Sequence, residues 1–256
     1  IDVLEKSPGV GIIYAVGKRS ELEKVIPPGK VEKIIQETGG FYENAIDTFY
    51  HLPDSSDKEK RALFLACDTP FLSVEGLEDL IAHAPDVDFV LPFCTQETFE
   101  SLFPGFSWPY LLYGEGPLKF GNMALVKPNR IRNKQLLGMF FGLRKVAVSG
   151  NRLEEFLTIP RIARAAVKLR GKEGLEIAAR EIYAKYVAAP LGIRTRVTDY
   201  LSVTRLSGVF SGLLDCRVAG YRTRYPELCF DVDKEETDLA YALENYDTIL
   251  DRIRSR

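Results

Sequence analysis

The sequence has little of what builds metal cages. Its 256 residues include only two histidines and four cysteines. Cys67, Cys94, Cys216 and Cys229 lie far apart, and the absence of a Cys-x-x-Cys pair argues against a zinc site. Isolated cysteines in or beside apolar runs are usually small buried hydrophobes, so reduced thiols are expected. His51 and His83 are too few for a histidine cage and are expected in a surface loop and at a helix end. No apolar run approaches the ~20 residues that cross a bilayer, and no secretory signal pattern opens the chain. An excess of positive charge is missing too: Lys and Arg number 34 against 36 Asp and Glu, a net charge of -2. A nucleic-acid-binding surface is therefore not expected. Repeats and low-complexity linkers are also absent. These absences leave a reduced, cytoplasmic protein as the expectation, with small molecules as its partners and neither nucleic acid nor membrane among them.

What remains is a globular composition, 46% hydrophobic and 27% charged. The length suits one large domain, or a core with a lobe. Residues 10–17, VGIIYAVG, predict a buried strand ended by Gly17. Residues 43–52 carry apolar side chains at helical spacing. A second strand follows at 61–67, then a helix over 73–84 with Ser73 as its N-cap and acids in its early turns. Residues 87–94 and 121–128 read as further strands, the latter stopped by Pro128. Strand and helix in alternation predict right-handed crossovers and a mostly parallel sheet. From Arg152 to Ala189 the pattern turns helical throughout, with many Lys and Arg. A solvated face explains those charges most simply; a lobe offering them to an anionic substrate is the sharper reading. Residues 196–206 and 212–223 then read as strands, and 227–250 as a strand end and a closing helix. The expected division is an α/β domain over 1–150 and 191–256, with a helical insert lobe over 151–190.

The stretch ALFLACDTPFLS, residues 62–73, poses the functional question. It begins as a buried strand and ends in Asp68, a carboxylate that is costly to bury unpaired. In open α/β sheets, ligands sit at the carboxyl ends of strands. Asp68 could bind there, or it could only brace the turn, where Asp and Pro are common. A second acidic group, CFDVDKEETDL, places Asp231 and Asp233 two residues apart after another apolar run. In extended chain both point to one face, and like charges that close need a cation or exposure. Magnesium takes one or two carboxylates plus substrate phosphates, so one Asp after each of two strands suits a magnesium–phosphate site. The plainer reading makes Asp233 an N-cap, with Glu236 three residues later completing a capping box.

In their order, LFLACDTPFLS, FGNMALVKP and FDVDKEETDL resemble the nucleotidyltransferase superfamily with a GT-A-like fold, and most nearly the MobA-like NTP transferases. The resemblance covers roughly the chain outside 143–220. It implies an α/β fold with a mostly parallel, Rossmann-like (GT-A-like) sheet flanked by helices. Asp68, Pro70 and Leu72 match the family's Asp-x-Pro-x-Leu; Gly121 and Asn122 match its later Gly-Asn; Asp231 and Asp233 match its late Asp-x-Asp. QETGGFYENAIDTF resembles the segment whose glycines admit the base, so Gly39 and Gly40 carry over, and Asn44 with weaker support. The implied reaction moves an NMP from an NTP to a small phosphorylated acceptor and releases pyrophosphate. Mg²⁺ is the implied cofactor, held by Asp68, Asp231 and Asp233, with Asp68 and Asp231 as the catalytic acids. Asn122 would hydrogen-bond a ribose hydroxyl or the acceptor. Lys119, Arg144 and Lys145 are candidate phosphate partners, though Lys145 reads better as an exposed strand edge.

One family feature does not match. The family opens with a strand and a Gly-rich loop that grips the triphosphate through backbone amides. Here the chain begins IDVLEKSPGV, without methionine, and AVGKRS (15–20) is a weak substitute. The expectation is that a segment precedes Ile1. Two other classes remain open: a nucleotide-sugar-dependent glycosyltransferase, and a non-catalytic nucleotide-binding relative that lacks the loop. The first would usually show Asp-x-Asp where this chain has Asp68-Thr69-Pro70. The helical insert is expected to shape the acceptor side or a homodimer contact.

Overall fold

The computed structural model describes residues 1–40, 44, 47, 48, 56–106, 110–134 and 202–256. The insert expected over 151–190, together with Arg144 and Lys145, lies outside them. So does most of the helix expected over 43–52, of which Asn44, Asp47 and Thr48 are helical. The architecture is mixed α/β, with a central sheet and helices.

The chain opens with helix α1 (Asp2–Lys6), strand β1 (Tyr14–Gly17), helix α2 (Arg19–Val25) and strand β2 (Lys33–Gln36). β1 and β2 pair in parallel as a two-stranded sheet. Six strands form the larger sheet: β3 (Ala62–Leu65), β4 (Phe89–Thr95), β5 (Leu111–Tyr113), β6 (Gly116–Phe120), β7 (Met123–Val126) and β8 (Val218–Arg222). Their order is β3-β7-β4-β6-β5, with β8 on β4. Helices α3 (Val74–His83) and α4 (Gln96–Leu102) follow β3 and β4, and α5 (Val203–Leu214) precedes β8. The chain closes with a 3₁₀ turn (Pro226–Cys229), a π-turn (Glu235–Leu239), and helices α6 (Ala240–Glu244) and α7 (Tyr246–Arg254).

The expected mostly parallel sheet is corrected. Among the described strands of the large sheet, only β4–β8 is parallel; β3–β7, β4–β7, β4–β6 and β5–β6 are antiparallel. β3 and β4 do share a direction, as the helix between them demands. β7 runs the other way and lies between them, because it arrives from β6 through a bulge and not through a crossover helix. Residues 203–206, read as strand, are the first turn of α5, which Ser202 caps by accepting from the Arg205 amide at 3.1 Å. That local bond outweighs the β-branched character of Val203 and Thr204.

Ser73 caps α3 as expected, accepting from the Gly76 amide at 3.1 Å. The same hydroxyl donates to buried Glu227 at 2.7 Å, and Arg256 reaches the other oxygen at 2.9 Å. This network ties the start of α3 to the segment that leads to Asp231. Beneath both lies an aromatic core of Phe71, Phe99, Phe103, Phe106 and Phe230. Phe71 meets Phe230 edge-on at 5.1 Å, and Phe103 stacks on Phe230 at 4.6 Å. Each fully buried ring contributes about 1.5–3 kcal/mol. Phe71 lies three residues after Asp68 and Phe230 one before Asp231, so this packing fixes both acidic segments against each other.

Candidate active site at the carboxyl end of β3

The β3–β7 ladder runs from Ala62↔Val126 to Leu65↔Met123 and continues one step further, where the Ala66 amide donates to the Asn122 carbonyl at 3.2 Å. The chain then turns. Thr69 bonds back to the Ala66 carbonyl, and Asp68 stands half-buried at the open end.

β6 and β7 form one interrupted strand along the same side of β4. Phe93 faces Phe120 and Val90 faces Leu125, so two residues of β4 oppose four of the other strand. The surplus is a bulge at 121–124, and bulges commonly re-aim a side chain beside a site. Here Asn122 is re-aimed: its amide nitrogen donates to the Asp68 carboxylate at 2.9 Å. Gly121 donates its own amide to the Pro92 carbonyl. A Cβ on Gly121 would stand 2.6 Å from the Leu228 carbonyl oxygen, so only glycine admits the 3₁₀ turn this close.

That approach brings in the late acids. The Val232 amide donates to the Asp68 carbonyl at 3.0 Å, so 231–233 runs beside Asp68. Asp231 is 2% exposed, and its Oδ1 accepts from the Lys119 ammonium at 2.7 Å. Lys119 is equally buried, 5.2 Å from the centre of the Phe99 ring. Burial pushes the Lys119 pKa below its ordinary value, while the Asp231 carboxylate pulls it back up. As a phosphate partner, Lys119 is thus on the wrong side of the core surface. Asp233 is exposed. The capping box expected of Asp233 and Glu236 is corrected. Buried Asp238 reaches back instead, accepting from the amides of Asp233 and Lys234 at 3.0 Å each. Sequence reading missed both Lys119 as the partner of Asp231 and Asp238 as the seal of the turn.

Gly39, Gly40 and Asn44 form a second group, past the end of β2. The Asn44 side-chain oxygen Oδ1 accepts from the backbone amides of Thr38 and Gly39 at 2.9 and 3.2 Å, and its Nδ2 donates to the Gly39 carbonyl. Asn44 thereby shapes the glycine loop from within. A cavity of about 260 Å³ adjoins it, lined in part by Arg19, Gln36, Thr38 and Asn44.

Among the described residues, no three His, Cys, Asp or Glu side chains cluster to hold a metal ion. Magnesium bound with substrate phosphates needs only one or two carboxylates. The half-exposed Asp68 carboxylate, oriented by Asn122, fits such an ion by donor chemistry and position. Among the described residues, no helix is long and apolar enough to cross a membrane.

No family model matches the chain, and no curated protein matches it. One solved structure is similar: a protein from Thermus thermophilus named a hypothetical transferase, 22% identical, with a TM-score of 0.60. The match covers 92% of this chain and 82% of that one. At this identity the likeness is one of fold, and the chain shares the fold of that protein.

Proposed function

We propose that this protein is a transferase of the nucleotidyl type, moving an NMP from an NTP to a small phosphorylated acceptor and releasing pyrophosphate. One observation carries the reading: Asp68, Asn122 and the 231–233 segment, far apart in sequence, converge where β3 ends. The name of the Thermus structure supports the broader transferase class.

Transfer at phosphorus requires in-line positioning and charge neutralisation more than covalent help. When bound, Mg²⁺ would neutralise phosphate charge as a Lewis acid. Asp68 would hold it, with exposed Asp233 as the second candidate, while Asp231, buried against Lys119, would set the charge behind them. Asn122 Nδ2 holds one Asp68 carboxylate oxygen, which would restrain that side chain where the strand ends. The Gly39–Gly40 loop, braced by Asn44, would receive the base in the manner of a close backbone approach.

The test is a panel of NTPs with Mg²⁺, read first as a thermal shift and then as pyrophosphate release with sugar-phosphate acceptors. The expectation is that one NTP stabilises the wild type and that Asp68→Asn abolishes the effect at nearly unchanged stability. Binding without turnover on any acceptor would indicate a non-catalytic relative. A large stability loss in Asp68→Asn with binding intact would make Asp68 a structural brace.

A further inference from the structure

We propose that Lys119 is a positioning residue for Asp231: a built-in counter-ion that lets a second acid stand beside Asp68. The inference rests on the reading of these two acids as the functional pair.

Lys119 lies opposite Cys94 inside the β4–β6 ladder, a register position that suits an apolar side chain. Burying an ammonium there is costly unless it is paired. Its partner, Asp231, is equally buried, at 2.7 Å. For stability alone such a pair gives little advantage, since an apolar pair of the same volume often serves as well. What the pair supplies is charge placed at a chosen point. Three residues further along the same strand, the bulge presents Asn122 to Asp68. One strand thus addresses both acids, Lys119 setting Asp231 and Asn122 setting Asp68. The Val232-to-Asp68 backbone bond joins the two arms. The spacing of the acids is therefore built into the strand and its bulge, before any ligand arrives.

If Lys119 supplies the counter-charge, its removal leaves the Asp231 carboxylate short of compensating positive charge, which a cation entering beside Asp68 would supply. The experiment uses the full chain and Mn²⁺ alone as the probe, followed by electron paramagnetic resonance. The variants are Lys119→Gln, Lys119→Met and Lys119→Met/Asp231→Asn. Gln keeps a donor for Asp231 without the charge, so it carries the test if the Met variant does not fold. The expected result is Mn²⁺ affinity at least about tenfold tighter in the single variants, returning to the wild-type value in the double variant. A smaller gain than that in both single variants, or one that persists in the double variant, overturns the proposal and leaves a purely structural pair. Should nucleotidyl transfer be observed, Lys119→Gln is expected to lower kcat with little change in the KM for NTP. If no NTP binds the wild type while the Mn²⁺ series behaves as expected, the nucleotidyl reading falls and the counter-ion assignment stands.

Discussion

Gly121→Ala is the sharpest perturbation of the geometry that assembles the site. The new Cβ would lie 2.6 Å from the Leu228 carbonyl oxygen and 2.9 Å from Pro92 Cγ, where ordinary contact begins at 3.4 Å. Neither neighbour is the loose end of a flexible side chain. The 3₁₀ turn must therefore retreat by roughly 0.8 Å, an overpacking that typically costs about 1–3 kcal/mol. For a chain of this size each kcal/mol lowers Tm by about 2–4 °C. The same retreat draws 229–232 away from Asp68 and weakens the Val232 bond. The control is Gly208→Ala, within α5, where an added Cβ meets none of the described residues within 4 Å. Helix propensity makes that change stabilising by up to about 1 kcal/mol. Urea denaturation of the two variants should thus give shifts of opposite sign. A Gly121→Ala protein as stable as wild type, with nucleotide response intact, would refute the argument that glycine sets this approach.

Two further expectations follow from groups elsewhere in the chain. Cys67 is exposed, whereas Cys94 and Cys229 are buried, and burial raises the Cys229 thiol well above its ordinary pKa and Cys216 to about 12. A thiol reagent at neutral pH should therefore modify Cys67 quickly and all four only in denaturant, and nucleotide with Mg²⁺ should slow Cys67 if Asp68 is the site; rapid native labelling of Cys94 or Cys229 would contradict the burial. Asp86 has its carboxyl held down at about 2, first by the hydrogen bond from Lys127 and then by that from Arg61. A depressed carboxylate stabilises the fold above its ordinary value and loses that effect as pH falls through its folded value, so the stability difference between wild type and Asp86→Asn should be full above pH ~4 and vanish near pH ~2. A difference that is flat across that range would refute the pairing.

Some of this site was legible in the sequence because the signal is local. An apolar run closing in Asp-Thr-Pro marks a strand end with an acid, and Ser73 ahead of an amphipathic run marks a helix start. Both stand where they were expected. The bulge was not legible. GPLKFGNMALV reads as an apolar run with a glycine in it, and the surplus residues exist only against β4, some 30 positions earlier. Without the bulge the role of Asn122 toward Asp68 cannot be derived. Nothing local marks Lys119, a candidate phosphate partner by sequence, as buried: its burial depends on Asp231, 112 residues away. Asp233 and Glu236 satisfy the spacing of a capping box, yet Asp238 takes the Asp233 amide, together with that of Lys234, because the chain makes a π-turn there and brings a later carboxylate back onto them. The mostly parallel expectation failed at β7 for the same reason as the bulge: periodicity identifies strands but not their neighbours.

The central claim is that Asp68, set by Asn122 beside the 231–233 segment, holds the cation that accompanies an NTP. Crystals grown with Mn²⁺ and a non-hydrolysable NTP test it most directly through the anomalous signal of the metal. The account predicts a peak within ~2.0–2.3 Å of an Asp68 carboxylate oxygen, bridged to phosphate oxygens. A nucleotide bound with its metal away from Asp68, or a peak only at acids such as Glu59 and Asp86, would contradict it.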